Sequence, residues 1–326
     1  MKIACIGAGT VGHAWAVAFA GARHEVALYD QLEDEVDARA LPKARETLAI
    51  LERGGMIREP AAVVAARIVR APSIAAAVAE AGYVQESVRE DVEVKRRVFA
   101  AIAEAAPAEA ILASSTSAIA GSEFLIDIPG PERALVVHPV NPPSLIPLVE
   151  LCATPRTSPA VLSRVRAFMT EVGMKPVTVL KEIDGFLLNR LQFTLVAEAM
   201  HLVGEGYCTA DDIDAVMTHG LALRWASIGP FEVAHLNAPD GFIGFVTRLG
   251  EMMRRLGADA RTDYAWPPGL AERIHAELAE RLPIAKIPER QSWRNERIMA
   301  VRKLQADGGL EPPSAPARSA AQSASR

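Results

Sequence analysis

The sequence contains few of the residues that mark several classes of protein. Its 326 residues include only three cysteines, Cys5, Cys152 and Cys208, which lie far apart and form no Cys-x-x-Cys pair. We therefore expect neither a disulfide framework nor a zinc site, and this cysteine usage favours a reducing, cytoplasmic compartment. The apolar stretch after Met1 superficially resembles a secretory signal, but glycines interrupt it. No other stretch approaches the roughly 18 apolar residues of a membrane span, so we expect no membrane association.

The charge of the sequence also shows no strong bias. Thirty-five Lys and Arg residues face 40 Asp and Glu residues, for a net charge of −5, and no block of five like charges occurs. Nucleic acid and anionic membranes are therefore not expected partners, which favours a small soluble ligand. Half of the residues are hydrophobic and 23% are charged, which is typical of a folded globular protein with a buried core.

Short apolar runs alternate with helical stretches over the first half of the chain, which is typical of βα units and a parallel sheet. After Lys181 the hydrophobic periodicity becomes helical throughout. We therefore predict an α/β protein with a Rossmann-type, doubly wound, mostly parallel sheet over residues 1–182 and an all-α domain over residues 183–305. Residues 306–326 lack large apolar side chains after Leu310 and are predicted to be a disordered tail.

The predicted strands and helices follow from the same patterns. The strands are expected at Ile3–Ile6, Val26–Tyr29, Ile68–Arg70, Tyr83–Gln85, Ile111–Ala113, Ala134–Val137, Leu148–Leu151 and Val177–Leu180. The helices are expected at Glu33–Arg53, Asp91–Ala105, Pro159–Glu171, Asp184–Glu205, Ala210–His219, Gly229–Asn237, Asp240–Leu256, Leu270–Arg281 and Glu289–Gln305.

A Gly-x-Gly-x-x-Gly motif follows the first predicted strand directly and opens an apolar helix. In this context the glycines allow a tight turn, close approach of a pyrophosphate and close packing of helix against strand. Asp30 ends the second predicted strand, where its carboxylate would accept hydrogen bonds from a ribose and repel a 2′-phosphate, so NAD is favoured over NADP. A glycine-rich turn followed by a solvated aspartate is the alternative. The predicted cofactor-binding residues here are Gly7, Gly9, Thr10, Val11, Gly12 and Asp30.

A second group of polar residues surrounds the predicted strand that ends at Val137. His138 follows this strand, and Glu150 lies within the apolar run Leu148–Leu151. A carboxylate on an apolar strand is costly to bury unless it is paired, and His138 is the obvious partner. Such a pair fixes the imidazole tautomer and leaves the second ring nitrogen free to accept a hydroxyl proton. A histidine that merely ends a strand, and a glutamate on an edge strand, are the structural alternatives.

The sequence resembles the 3-hydroxyacyl-CoA dehydrogenase superfamily, and within it the branch of lambda-crystallin and L-gulonate 3-dehydrogenase. The resemblance covers nearly the whole chain before the tail. The stretches that carry it are Ser114–Ser117, His138–Pro143, Ile146–Leu151, Gly185–Gln192, Ile228–Glu232 and Trp293–Arg294, together with the segment Glu86–Lys95.

The resemblance implies a role for each matching residue. His138 resembles the family's catalytic base and Glu150 its carboxylate partner, while Ser117 and Asn189 resemble residues that hydrogen-bond the substrate oxygen. Further cofactor contacts are implied for Glu90, Lys95, Ser117 and Asn141. The resemblance also implies a homodimer formed through the helical half. Ser117 as the N-cap of a helix beginning at Ala118, and a solvent-exposed Asn189, are the alternatives; no metal is expected.

The resemblance implies NAD-dependent oxidation of a secondary alcohol, but several substrates are open. Arg224 precedes the stretch Ile228–Glu232 and is suited to pair with a free carboxylate, which favours a small 3-hydroxy acid such as L-gulonate. A surface ion pair is the alternative for Arg224. An L-3-hydroxyacyl-CoA substrate such as 3-hydroxybutyryl-CoA is the second candidate, because basic residues at Lys43, Arg45, Arg53 and Arg58 suit coenzyme A phosphates. A non-catalytic, crystallin-like NAD-binding protein is the third.

Overall fold

The computed structural model describes residues 1–32 and 34–306. Within these residues the chain divides into two compact units, Met1–Leu191 and a second unit that begins at Gln192. The boundary expected from sequence, between residues 182 and 183, lies nine residues earlier, in the segment that precedes the helix Leu188–Gly204. The tail expected over residues 306–326 lies outside the described residues, except for Ala306, which ends the last helix.

The first unit contains one eight-stranded sheet, and all eight strands lie where the hydrophobic runs predicted them. The strands are β1 Lys2–Ile6, β2 Glu25–Tyr29, β3 Ile68–Arg70, β4 Tyr83–Glu86, β5 Ile111–Ser114, β6 Ala134–Pro139, β7 Leu148–Ala153 and β8 Lys175–Val179. Their order in the sheet is β3-β2-β1-β4-β5-β6-β7-β8. All neighbours are parallel except β6 and β7, which form an antiparallel pair. The predicted Rossmann-type, mostly parallel sheet is therefore confirmed.

Helices occupy most of the remaining chain, and several are preceded by residues that favour helix starts. They are α1 Thr10–Gly21, α2 Leu41–Arg53, α3 Ala61–Ala65, α4 Ile74–Val78, α5 Val92–Ala105, α6 Pro159–Glu171, α7 Leu188–Gly204, α8 Ala210–Val216, α9 Ala222–Trp225, α10 Pro230–Leu236, α11 Gly241–Asp259, α12 Leu270–Arg281 and α13 Ile287–Ala306. Asp91 caps α5 by accepting from the N–H of Val94, and Thr209 and Asp212 form a capping box on α8. Within residues 192–306 the second unit contains helices and no strand, as expected.

Some helices differ from the expectation in their boundaries. The predicted helix Glu33–Arg53 is a π-helical turn over Glu35–Ala40 that runs into α2, and Glu33 itself is outside the described residues. A second π-helical turn, Met217–Leu221, joins α8 to α9. The five-residue helices α3 and α4 were not predicted, because short apolar runs do not distinguish helix from strand. No helix in the described part of the chain is both long and apolar enough to cross a membrane.

The strand order identifies the edge of the sheet at which a ligand is expected to bind. β1 pairs in parallel with β2 on one side and with β4 on the other, so the direction of strand addition reverses between β1 and β4. In open α/β sheets, ligands bind at the carboxyl ends of the strands beside this reversal. β1, β4, β5 and β6 are fully buried along most of their length, which holds that edge rigidly.

Candidate active site

The glycine motif forms a tight turn between β1 and α1. Gly7 has φ of +99°, and its N–H donates to the carbonyl oxygen of Tyr29 at 2.8 Å. A Cβ atom at Gly12 would collide with the carbonyl oxygen of Gly7, whereas one at Gly9 would have no other atom within 4 Å. No side chain caps the start of α1. The first N–H groups of that helix therefore face open space beside Gly9, which suits a diphosphate.

Asp30 follows β2 and holds the glycine turn from the other side. Its carboxylate accepts from the N–H of Ala8 at 2.9 Å and from the N–H of Leu32 at 3.1 Å. Two carboxylate oxygens offer about four acceptor positions, so acceptor capacity remains for ribose hydroxyls. The negative charge at this position disfavours a 2′-phosphate. The residues present therefore fit NAD.

His138 and Glu150 face each other across the antiparallel pair β6 and β7. The register pairs His138 directly with Glu150, so both side chains project from the same face of the sheet. The Nδ1 atom of His138 lies 2.8 Å from Oε2 of Glu150. Both residues are buried, with exposed fractions of 4% and 1%. The pairing proposed from sequence is therefore present in the structure.

Glu150 is held in its ionised form by more than the imidazole. Its Oε1 atom accepts from the N–H of Leu187 at 2.9 Å and of Leu188 at 3.1 Å, at the start of α7. A helix N-terminus stabilises a carboxylate through its unpaired N–H groups and its dipole. Burial alone would raise the pKa of Glu150, but these hydrogen bonds and the one from His138 outweigh it, so the pKa lies below the ordinary value. The carboxylate therefore accepts from Nδ1–H, and in the neutral imidazole this selects the tautomer in which Nε2 carries the lone pair.

The chain between Ile183 and Leu188 is shaped to deliver these two N–H groups. Gly185 and Phe186 both have positive φ, at +73° and +51°. A positive φ is unusual for a residue such as phenylalanine, and here the ring is fully buried and lies 5.3 Å from the ring of His138, centroid to centroid. The same bend thus packs Phe186 on the imidazole and directs the following N–H groups at Glu150.

Ser117 and Asn189 lie next to each other. The Nδ2 atom of Asn189 donates to the carbonyl oxygen of Ser117 at 2.8 Å. Ser117 is exposed and Asn189 is half-buried. No helix begins at Ala118, and the hydroxyl that accepts from the N–H of Ile119 belongs to Thr116. The alternative in which Ser117 caps a helix is therefore wrong, and within residues 1–32 and 34–306 its own hydroxyl has no hydrogen-bond partner.

Glu90 organises the loop that carries Ser117. Its Oε1 atom accepts from the hydroxyl of Thr116 at 2.6 Å and from the N–H groups of Ser117 at 2.8 Å and Ala118 at 3.0 Å. Burial raises the pKa of Glu90, but these donors and the charge of Lys95 together bring it below the ordinary value.

Lys95 is almost fully buried behind this loop. Its ammonium group lies 2.9 Å from Glu86 and 3.3 Å from Glu90. Burial raises the pKa of Glu86, and the charge of Lys95 and the hydroxyl of Ser114 lower it in part. The cofactor contacts expected for Glu90 and Lys95 stay predictions, and this geometry favours an indirect role for Lys95 through Glu90.

Several residues at this edge were not anticipated from sequence. They form a polar network that joins α1, β4 and the residues that follow β4 and β5. Its members are Tyr83, Gln85, Ser87, Ser115 and Trp15. The same reasoning that singled out Glu150 would have found Glu86 and Gln85, because both are polar residues inside an apolar strand.

Two further candidate residues take no part in these contacts. Asn141 is exposed in the loop that joins β6 to β7, where the bond to Pro142 is a cis peptide. Arg224 is exposed in α9, in the second unit, and forms no ion pair with any residue that the structure describes. The surface ion pair considered for Arg224 is therefore not observed.

The first unit thus combines a dinucleotide-binding turn with a buried histidine–carboxylate pair at one edge of a doubly wound sheet. This combination defines a nucleotide-dependent oxidoreductase fold. Residues 2–183 match the NAD-binding domain of 3-hydroxyacyl-CoA dehydrogenase, and residues 185–277 match the C-terminal domain of the same family. The chain belongs to the 3-hydroxyacyl-CoA dehydrogenase family.

Comparisons with individual proteins agree with this family membership. The chain is 38% identical to a lambda-crystallin homolog of Bos taurus over 306 residues, which are 93% of this chain and 95% of that protein. It is 32% identical to an L-carnitine dehydrogenase of Bacillus cereus over 281 residues, which are 86% of this chain and 82% of that protein. Among solved structures, an NAD⁺-dependent 5-formyl-3-hydroxy-2-methylpyridine 4-carboxylic acid 5-dehydrogenase has a TM-score of 0.81 at 26% identity, covering 94% of this chain and 98% of that one.

Proposed function

We propose that this protein is an NAD-dependent dehydrogenase that oxidises the 3-hydroxyl group of a small 3-hydroxy acid to the corresponding 3-keto acid. The observation that carries the proposal is the buried contact of 2.8 Å between His138 and Glu150 at the carboxyl edge of the sheet. A structural protein has no need for a buried, hydrogen-bonded acid and imidazole at this position.

His138 is proposed as the general base. Glu150 accepts from Nδ1–H, so Nε2 is the nitrogen that takes the hydroxyl proton as the alcohol is oxidised. Acid–base catalysis of this kind contributes about 10² to 10⁴-fold, or roughly 3 to 5 kcal/mol. In the reverse direction the same nitrogen returns the proton to the carbonyl oxygen.

Ser117 and Asn189 are proposed to hold the reacting oxygen of the substrate. The hydroxyl of Ser117 has no partner within the described chain, and only one N–H of the Asn189 amide is used by the Ser117 carbonyl. Donors that are already positioned stabilise an oxygen on which negative charge develops. The glycine turn and Asp30 would hold NAD, which would supply a hydride acceptor for the substrate carbon.

The test of the base is the variant His138→Gln. Glutamine keeps a polar side chain but cannot take a proton at neutral pH, so we expect kcat to fall by at least about 10²-fold with the Kd for NADH nearly unchanged. Turnover would be followed by NADH absorbance and binding by NADH fluorescence. Normal turnover in His138→Gln would reject His138 as the base.

The proposed substrate class is a free 3-hydroxy acid, such as L-gulonate or a related compound. Arg224 is exposed and unpaired within the described residues, so its guanidinium is available for a bidentate contact with a carboxylate. L-carnitine is itself a free 3-hydroxy acid, and the similarity to L-carnitine dehydrogenase supports this class. A thioester presents no such charge.

The substrate class is tested by measuring kcat/KM on L-gulonate, L-3-hydroxybutyrate, L-carnitine and 3-hydroxybutyryl-CoA with NAD and with NADP. We expect turnover of at least one free acid with NAD, and loss of that turnover in Arg224→Ala. Arg254→Ala is the matched control, because Arg254 is an exposed arginine of the same unit that pairs with Glu251 on its own helix. Turnover of the thioester alone would reject the free-acid proposal.

A 3-hydroxyacyl-CoA substrate is the second candidate. Lys43, Arg45, Arg53 and Arg58 are all exposed on α2 or just after it, where they can meet coenzyme A phosphates. The family to which the chain belongs is named for this activity. Activity on 3-hydroxybutyryl-CoA that is insensitive to Arg224→Ala would favour this candidate.

A non-catalytic role is the third candidate, because the lambda-crystallin homologs are among the relatives. Tight NADH binding without turnover of any compound in the panel would favour it. The retained pair of His138 and Glu150 supports catalysis instead.

A homodimer formed through the helical unit is also part of the proposal. Within residues 192–306 few hydrophobic residues are buried, namely Val203, Ala234, Ala238, Leu270 and Met299. Large apolar side chains are exposed instead, including Phe231 and Ile243 at 77% each. Exposed apolar surface on this scale is typical of a protein interface.

A further inference from the structure

The hydroxyl of Ser115 is the centre of the polar network at the carboxyl edge of the sheet. The indole Nε1 of Trp15 lies 3.1 Å from Ser115 Oγ, the Nε2 atom of Gln85 lies 2.7 Å from it, and Ser87 Oγ lies 2.9 Å from it. Trp15 and Gln85 are fully buried, so the positions of these two groups are held by the core.

The direction of each hydrogen bond follows from the chemistry of the groups. An indole N–H can only donate. The amide of Gln85 is oriented by two neighbours: its Nε2 also faces the carbonyl oxygen of Val137 at 3.4 Å, which can only accept, and its Oε1 accepts from the hydroxyl of Tyr83 at 2.6 Å. Burial raises the pKa of Tyr83 well above its ordinary value, so the phenol keeps the proton that it donates.

Ser115 therefore receives two hydrogen bonds, from Trp15 and from Gln85. A hydroxyl has two lone pairs and one proton, so both acceptor positions of Ser115 are filled and its own O–H has to donate. The hydroxyl of Ser87 is the acceptor at hydrogen-bond distance. The proton of Ser87 consequently points away from Ser115.

Ser87 lies against the turn that binds the dinucleotide. A Cβ atom at Gly7 would collide with the carbonyl oxygen of Ser87, and one at Gly12 would lie 3.6 Å from the Cβ of Ser87. Ser87 is half-buried, and within residues 1–32 and 34–306 its hydroxyl has no partner other than Ser115. We propose that Ser87 is a further cofactor-binding residue, whose hydroxyl donates to a diphosphate oxygen of NAD.

The network has a clear consequence for binding. A hydroxyl in water exchanges between donor and acceptor roles, whereas Ser87 presents its proton to the ligand before the ligand arrives. A preorganised donor is suited to an anionic oxygen, and hydrogen bonds to charged groups are the stronger kind. The inference rests on the NAD-binding domain and is independent of the substrate.

The test measures the Kd of the full-length protein for NADH and for ADP, which contains a diphosphate but no nicotinamide. Ser87→Ala removes the donor, and Ser87→Cys keeps the volume of the side chain with a much weaker donor. We expect both variants to weaken NADH and ADP alike by about tenfold. Ser87→Ala should also lower the thermal unfolding midpoint slightly, because the hydroxyl of Ser115 loses its acceptor. Ser163→Ala is the matched control, because the Ser163 hydroxyl only donates within its own helix; its Kd values should equal those of the wild type.

Three results would overturn the inference. The first is a Kd for NADH in Ser87→Ala within twofold of the wild type. The second is full affinity in Ser87→Cys, which would make the effect one of packing. The third is a loss for NADH with no loss for ADP, which would place the acceptor outside the diphosphate. A wild-type protein that binds no NADH would overturn the cofactor assignment as well, and is distinguishable from these results.

Discussion

The variant Glu150→Gln tests how the carboxylate sets the tautomer of His138. Glu150 accepts three hydrogen bonds, from His138 on one oxygen and from the N–H groups of Leu187 and Leu188 on the other. A glutamine has one oxygen and one NH₂ group in the same positions. Its oxygen can therefore accept either from His138 or from the N–H groups of Leu187 and Leu188, but not from both.

The energies of the two glutamine orientations decide the outcome. Turning the oxygen toward His138 leaves two part-buried N–H groups facing an NH₂ group, at a cost of about 1 kcal/mol for each unpaired donor, the lower end of the range for buried donors. Turning the oxygen toward Leu187 and Leu188 avoids this cost, and the NH₂ group then donates to Nδ1 of His138. The second orientation is favoured, and it forces the imidazole proton onto Nε2, where the base has to be free.

We therefore expect Glu150→Gln to lower kcat by about 10² to 10⁴-fold, which corresponds to roughly 3 to 5 kcal/mol. The Kd for NADH should not change, because the pair makes no contact with the glycine turn. The assay is steady-state turnover with the best substrate of the panel, beside NADH titration and a thermal unfolding scan. Glu93→Gln is the matched control, because Glu93 is an exposed carboxylate that pairs with Arg96 on its own helix.

A Glu150→Gln variant that folds, binds NADH and keeps kcat within about threefold of the wild type would contradict this role of Glu150. The tautomer of His138 would then be set by something other than Glu150. A loss of NADH affinity equal to the loss of turnover would also contradict it, because the effect would then lie in binding.

Three further predictions concern the turn, the pH dependence and the assembly. Gly12→Ala should lower the unfolding free energy, because the added Cβ would collide with the Gly7 carbonyl oxygen. Gly9→Ala should leave the unfolding midpoint unchanged and weaken NADH binding. The reverse pattern would contradict the roles of the two glycines. The difference in unfolding free energy between wild type and Glu150→Gln should be fully present above pH about 4.5, and it should shrink as the pH falls through the lowered pKa of Glu150. Denaturant titrations at several pH values check this difference. Light scattering should show a dimer that Ile243→Asp converts to a monomer, and a monomeric wild type would reject the dimer.

Much of the first unit could be predicted from local sequence. The eight strands are short apolar runs bounded by turn residues, and their regular alternation with helical stretches favoured the strand assignment. The glycine spacing before α1 required only that a strand precede it and a helix follow it. His138 and Glu150 were also recognisable, because a carboxylate within an apolar strand needs a partner.

Other features depended on contacts that a linear pattern does not contain. The two N–H groups that hold Glu150 come from Leu187 and Leu188, which carry no polar side chain, so nothing in their identity indicated the role. The burial of Lys95 was equally hidden, since an isolated lysine on a helix is normally solvated and only Glu86 and Glu90 together make its burial favourable.

The sequence alone determined which residues are capable of the chemistry: the glycines that permit the turn, the aspartate after β2, and the imidazole and carboxylate on neighbouring strands. Only the assembled fold fixed the ionised state of Glu150, the tautomer of His138 and the directions of the hydrogen bonds around them. The physical reason is that a proton's position depends on every donor and acceptor around it. Those around Glu150 and Ser115 are brought together from distant parts of the chain only when the sheet is assembled.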